Sequence, residues 1–288
     1  MTNRHCSHLR SLCVAAAVLA CVVVGCRSKE STPTSQPESA HPSTATSAAT
    51  PPSAPTITPA PPTVPDVVDV EQVDVPNDLP AFVVRGKTNG ERMVFLHGLC
   101  GNPYAYALSF RNAAARIGTL VALQGNTSCG EDFRDWSASP AKVDTRIEAA
   151  FRAVGDTSSL RDVIVIGYSS GGTFAELLVM RNPERYARAV LIAMPQAPAL
   201  FRLRKARGVV LMAGERDRHD LMKTGLRSLT LQSIPCKFLV LPGATHGEMG
   251  EDAERVMGEA LDWLVRFPAP VPNHSCDDCP IPRIHVRQ

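Results

Sequence analysis

Three things are scarce in this chain of 288 residues: net charge, aromatic side chains and long apolar runs. The formal net charge is +2, and with Arg4 and Arg10 of the N-terminal segment set aside, 28 basic residues face 28 acidic ones. No basic stripe forms, and the aromatic residues, 5% of the chain, do not interleave with Lys and Arg. The electrostatic footprint that nucleic acid demands is therefore missing. The apolar run from Leu12 through Val24 is too short to span a bilayer as a helix, and behind Arg4 and Arg10 it reads as the core of an export signal. Proline and small polar residues crowd the first quarter, which leaves one folded domain after it.

The run ends in Val23-Val24-Gly25-Cys26, which resembles the lipobox of bacterial lipoproteins. There a small residue precedes a cysteine whose thiol accepts the acyl group. The resemblance implies a signal peptide with lipobox at 1–26, lipidation at Cys26 (with palmitate among the acyl groups expected), and anchoring to a membrane of the bacterial cell envelope. Val18-Leu19-Ala20-Cys21 also fits, but cleavage there leaves Val22-Val23-Val24 on the mature end. A plain secretory signal is the simpler alternative. Residues 27–65, dense in Pro, Ser, Thr and Ala, bury too little apolar surface to fold and read as a tether. In extended polyproline form it reaches roughly 100 Å.

What is present begins with Val163-Ile164-Val165-Ile166-Gly167-Tyr168-Ser169-Ser170-Gly171-Gly172. A β-branched apolar run reads as a buried parallel strand, and it breaks into a turn with glycine two residues either side of a serine. A strand turning straight into a helix crowds its flanks, so those positions suit glycine, while the serine is held strained with its hydroxyl exposed. From about residue 66, apolar strands alternate with helical segments, the pattern of a parallel sheet covered by helices. Strands are expected at Ala81–Val84, Met93–Leu96, Thr119–Leu123, Ala189–Ala193, Val209–Ala213 and Lys237–Leu241. Helices are expected at 105–117, 140–154, immediately after the serine, and from Ala253 to Phe267.

This order, with the serine after the middle strand, resembles the α/β-hydrolase fold over roughly residues 78–267. By motif and size it is most similar to small serine esterases, dienelactone hydrolases and polyhydroxyalkanoate depolymerases. A dienelactone hydrolase usually carries cysteine where Ser169 stands. The resemblance implies a mostly parallel central sheet flanked by helices and a triad in the chain order Ser169, Asp217, His246. Ser169 would be the nucleophile. Asp217 follows the strand Leu211-Met212-Ala213, with Glu215 and Asp220 as alternative acids. His246 lies in the loop between the last strand and the last helix. His219 stands too near the acid to be the base. His97-Gly98-Leu99 sits where the family places its first oxyanion loop, with the N–H of Leu99 as one donor and that of Ser170 as the other. One such donor is typically worth about 2.7 to 4 kcal/mol in the transition state. His97 itself reads as structural.

Few residues lie between the strands ending at Ala193 and starting at Val209, so a minimal lid and an open site for small or medium esters are expected. The loop 124–139, carrying Phe133 and Trp136, could wall the acyl pocket; for Trp136 ordinary packing is the alternative. Of nine cysteines, Cys6, Cys13 and Cys21 leave with the signal. Cys100 and Cys129 each follow the end of a strand and can approach one another, and export permits a Cys100–Cys129 disulfide. Cys236 reads as a buried strand-end thiol. In the tail 271–288, His274, Cys276, Cys279 and His285 have the spacing of a small zinc knot, but outside the cytosol a local Cys276–Cys279 disulfide is expected instead of a metal. The reading is thus an α/β-hydrolase domain over 66–270, a serine hydrolase of carboxylic esters needing no cofactor. A serine peptidase or acyltransferase on the same fold, or a tethered binding protein without catalysis, are the alternatives.

Overall fold

Apolar β-branched runs can hide both faces only inside a layered sheet, and that is where they lie. A computed structural model describes residues 68–267. The expectations placed on 1–26, Cys26, the 27–65 tether, Cys276 and Cys279 fall outside those residues. In chain order the elements are β1 (Glu71–Val73), β2 (Ala81–Val84), β3 (Glu91–Leu96), α1 (Pro103–Ser109), α2 (Arg111–Ile117), β4 (Gly118–Leu123), β5 (Thr127–Ser128), β6 (Arg134–Asp135), α3 (Pro140–Ala153), β7 (Ile164–Tyr168), α4 (Ser170–Arg181), β8 (Arg188–Ile192), α5 (Leu200–Leu203), β9 (Gly208–Gly214), α6 (Asp220–Leu231), β10 (Cys236–Leu241) and α7 (Ala253–Leu264).

Eight strands form one sheet in the order β1-β2-β4-β3-β7-β8-β9-β10, while β5 and β6 form a separate small hairpin. From β4 to β10 every neighbouring pair is parallel; β1 and β2 run antiparallel at one edge. Every residue of β7, β8 and β9 is buried. Side chains alternate between two cores, as the strand period requires. Val94 and Leu96 face the core covered by α3, α4, α5 and α6, while Met93 and Phe95 face the one covered by α1, α2 and α7. The buried charge of Arg188 at the start of β8 is met by Glu91 at 2.6 Å and Asp162 at 2.9 Å.

Register decides where the loops emerge. Leu96 pairs with Gly167, Tyr168 with Ile192, and Gly214 with Leu241. The turn after β3, Ser169, and the loops after β9 and β10 therefore leave the sheet at one rim.

Three expectations need correction. The helix expected over 105–117 is two helices, broken at Phe110, whose φ of −140° turns the chain as its ring buries beside Phe95 at a centroid distance of 5.9 Å. The last helix stops at Leu264 rather than Phe267. Cys236 is only partly buried, its Sγ 3.3 Å from Thr230 Oγ1. Helix α6 is a further element that the sequence pattern does not mark. Its interior Gly225 disfavours a helix, yet a Cβ there would meet the Pro198 ring at 2.6 Å, so close packing explains the residue. Residues 193–207 contain only α5, so the lid is minimal.

Candidate active site

The turn between β7 and α4 is as tight as its glycines suggest. A Cβ on Gly167 would lie 2.5 Å from the Gly171 carbonyl oxygen, and one on Gly171 would lie 2.1 Å from that of Leu96. Ser169, between them, holds φ +50° and ψ −118°, a strained conformation for a residue with a side chain. Its N–H donates to the Ile192 carbonyl at 2.8 Å, tying the turn to β8.

Ser169 Oγ lies 3.2 Å from His246 Nε2, and His246 Nδ1 lies 2.8 Å from Asp217 Oδ2. With a carboxylate at Nδ1, that nitrogen carries the proton, and Nε2 is left to accept from the serine hydroxyl. Asp217 Oδ1 also accepts the Arg218 N–H at 2.7 Å, which orients the carboxylate. The alternative acids are occupied elsewhere. Glu215 accepts the Gly243 N–H at 2.8 Å, and Asp220 pairs with Arg218 at 3.1 Å. His219 puts Nε2 2.7 Å from the Gly214 carbonyl and its ring edge against Phe238.

The turn after β3 closes on the serine from the other strand. A Cβ on Gly98 would sit 3.0 Å from Ser169 Cβ, so any side chain there would push the turn and the serine apart by a few tenths of an ångström. Among the described residues no hydrogen bond occupies the N–H of Leu99 or that of Ser170, the first residue of α4. His97 anchors the turn from below. It is fully buried, its Nε2 accepts the Gly125 N–H at 2.8 Å, and Nδ1 therefore donates to the Gly98 carbonyl at 2.7 Å. Burial lowers its pKa to about 4, so the ring is neutral. Trp136 is buried, stacks near His97 at 4.8 Å and donates Nε1–H to its carbonyl at 2.9 Å. It is packing beneath the turn, whereas Phe133 is half exposed and lines a cavity.

Cys100 and Cys129 are disulfide-bonded, joining the turn to the β5–β6 hairpin. Arg134 N–H donates to the Gly101 carbonyl at 3.1 Å and reinforces the same junction. The cavity, about 330 Å³, opens between this turn and the loop after β10, with Leu99, Tyr106, Phe133, Gly247 and Met249 among its walls. Among the described residues no charged side chain lines it. Two of its polar groups are engaged within the protein: Asn102 Oδ1 caps α1 by accepting the Ala105 N–H, and Ser109 donates to the Tyr106 carbonyl.

Two tyrosines absent from the sequence-level candidates also reach the site. Tyr168 Oη accepts the Gly247 N–H at 2.7 Å, and Tyr106 donates its hydroxyl to the Gly247 carbonyl at 2.9 Å. Tyr168 stands inside the turn motif itself, which was the available signal; nothing in the sequence marks Tyr106.

The family whose sequence model matches the chain, over residues 93–280, is described as the alpha/beta hydrolase family. Among solved structures, a bacterial membrane phospholipase A described as a virulence factor aligns with a TM-score of 0.51 at 14% identity, covering 70% of this chain and 87% of that one. Naproxen esterase from Bacillus subtilis aligns at 0.50 and 13%, covering 70% and 92%. The substrate-bound fluorophosphonate-binding serine hydrolase F of Staphylococcus aureus aligns at 0.50 and 12%, covering 69% and 98%. At such identities the likeness is one of fold. No curated protein sequence matches the chain.

Proposed function

The chain belongs to the alpha/beta hydrolase family, and from that premise we propose that it is a serine hydrolase of carboxylic esters working through Ser169, His246 and Asp217. The observation that carries the reading is the hydrogen-bonded relay from Ser169 Oγ to His246 Nε2 at 3.2 Å and from His246 Nδ1 to Asp217 Oδ2 at 2.8 Å. His246 takes the hydroxyl proton as Ser169 Oγ attacks the acyl carbonyl, and Asp217 stabilises the imidazolium that forms. The N–H groups of Leu99 and Ser170, free of other acceptors, hold the oxyanion, whose charge develops only in the transition state. His246 then protonates the leaving alkoxide, and a water activated by the same imidazole releases the acyl group from Ser169.

The cavity between the Leu99 turn and the loop after β10 supports an uncharged, compact and largely apolar group as part of the substrate, since no charged side chain is among its lining residues and Leu99, Tyr106, Phe133 and Met249 are. The structural neighbours named as an esterase and a phospholipase act on esters, in keeping with this reading. The lipobox-like Val23-Val24-Gly25-Cys26 supports an exported chain anchored through Cys26 in the bacterial envelope. In Cys26→Ser the anchor is expected to be lost, so the chain moves from membrane to soluble fractions.

A fluorophosphonate probe tests the catalytic assignment. It should label Ser169 in the wild type and nothing in Ser169→Ala, whose ester turnover should fall by about 10⁴-fold or more with the fold intact. Undiminished turnover in Ser169→Ala removes the proposal. Matched ester, amide and acyl-acceptor substrates separate esterase from peptidase and acyltransferase, and absence of both label and turnover leaves a binding protein.

A further inference from the structure

We infer that Tyr168 and Tyr106 are positioning residues that hold the base loop in place for His246 by gripping both polar groups of the Gly247 backbone; the inference rests on the serine-hydrolase reading above. The loop that delivers His246 is short of its own support. It contains Gly243, Gly247 and Gly250 with φ of +67°, +96° and +72°, and a Cβ placed on Gly243 or Gly247 would meet no atom within 4 Å. The His246 side chain is 53% exposed. The Tyr168 ring lies 5.8 Å from the imidazole, centroid to centroid, and with half the side chain in solvent the rest of its placement falls to hydrogen bonds.

One bond from the loop after β9 holds the residue two before the histidine, and the Thr245–Glu248 bonds close a short turn across it. Arg216 N–H donates to the Ala244 carbonyl at 3.0 Å, and Glu248 accepts from both the N–H and the hydroxyl of Thr245, at 3.0 and 2.8 Å. The Gly247 backbone, next to the histidine, is gripped from outside the loop by the tyrosines. Tyr168 accepts the N–H of Gly247 at 2.7 Å and lies 3.5 Å from the Glu248 carbonyl; Tyr106 donates to the Gly247 carbonyl at 2.9 Å. Their rings lie 5.0 Å apart, Tyr106 rests on Phe95 at 5.3 Å, and Tyr168 is buried.

Chain position gives the clamp its purpose. Tyr168 is the last residue of β7 and precedes Ser169, so the strand that presents the nucleophile also carries a strut to the residue after the base. Tyr106 sits on α1, just past the Leu99 turn. Serine, base loop and oxyanion turn are thus braced against one another through two hydroxyls. Burial raises both phenol pKa values, Tyr106 to about 12, so the hydroxyls stay protonated wherever His246 can work as a base.

The test uses Tyr168→Phe and Tyr106→Phe in the whole chain, with Tyr186→Phe as comparison, since Tyr186 is as buried as Tyr168 and loses a 2.6 Å bond to Asp144 away from the clamp. Each clamp variant should lower kcat about 10-fold with KM changed less than about twofold, as expected when a reacting group is displaced by a fraction of an ångström. The Gly247 amide should exchange hydrogen faster in Tyr168→Phe. Tyr186→Phe should lower Tm and leave kcat unchanged. Unchanged kcat in both clamp variants, or Gly247 exchange that does not quicken, overturns the inference. If Tyr168→Phe does not fold, Tyr106→Phe decides by the kcat and KM criterion. A folded wild-type chain that no fluorophosphonate labels instead overturns the parent reading, and the Gly247 exchange measurement still reports on the clamp.

Discussion

The turn after β3 and the loop after β10 both meet Ser169, and they are built in opposite ways. The first rests on a fully buried His97, a buried Trp136, a disulfide from Cys100 and a backbone bond from Arg134. The second carries a half-exposed His246 and several glycines, and is held mainly by hydrogen bonds, among them those of two tyrosine hydroxyls, Glu248 and Asp217. The division suits the proposed chemistry. Oxyanion donors work by being in place before charge develops, because any reorganisation subtracts from their effect. A base must serve Ser169 and then the leaving oxygen, both within reach of one imidazole, so its loop has only to be held in place, which a few hydrogen bonds supply.

The contrast can be broken from either side. On the base side, Asp217→Asn keeps the shape but favours the wrong imidazole tautomer, and kcat should fall by about 10³- to 10⁴-fold with Tm little changed, as steady-state rates and thermal unfolding will show. On the oxyanion side, Gly98→Ala pushes a methyl against Ser169 Cβ at 3.0 Å. The turn must shift by a few tenths of an ångström, and a loss of about 10- to 100-fold in kcat is expected, read with a substrate of unchanged KM.

Cutting the disulfide loosens the rigid side only. Cys129→Ser opens a link between residues 29 apart and should cost about 2–4 kcal/mol of stability in denaturant titrations. Activity should fall less than in Gly98→Ala, since His97 and Trp136 remain. Acid sharpens the comparison further. His97 titrates at about 4 when folded against 6.5 for its ordinary value, so the unfolded chain takes up the extra proton. The stability of the neutral, buried ring is fully present above about pH 6.5 and drains away as pH falls toward 4, by on the order of 3 kcal/mol. His97→Gln should flatten that slope; a slope identical to the wild type in unfolding measurements across this range would count against a buried neutral His97.

Much of this was legible along the chain because local chemistry carried it. The run Val163–Ile166 followed by glycines around Ser169 could only be a buried strand entering a tight turn, and His246 announced itself by lying between a strand and an amphipathic helix. Asp217 was legible only as one of three acids. The choice among Glu215, Asp217 and Asp220 depends on how the loop after β9 curls, with Asp217 N–H bonded back to the Gly214 carbonyl, and three neighbouring carboxylates look alike in sequence. The break at Phe110 and the helix α6 were hidden for a related reason. A helical pattern persists through Phe110, and Gly225 argues against a helix until the Pro198 ring beside it is known.

Sequence by itself determined the strand-and-helix alternation, the strained serine turn and the placing of His246 between a strand and a helix, because each is written in residues close together and in hydrophobic period. Tertiary structure decided which acid faces His246, that Trp136 packs while Phe133 lines the cavity, and that Tyr106 and Tyr168 meet at Gly247. Those contacts join residues 29 to 141 positions apart, and their geometry follows from strand register and helix packing, which no local pattern records.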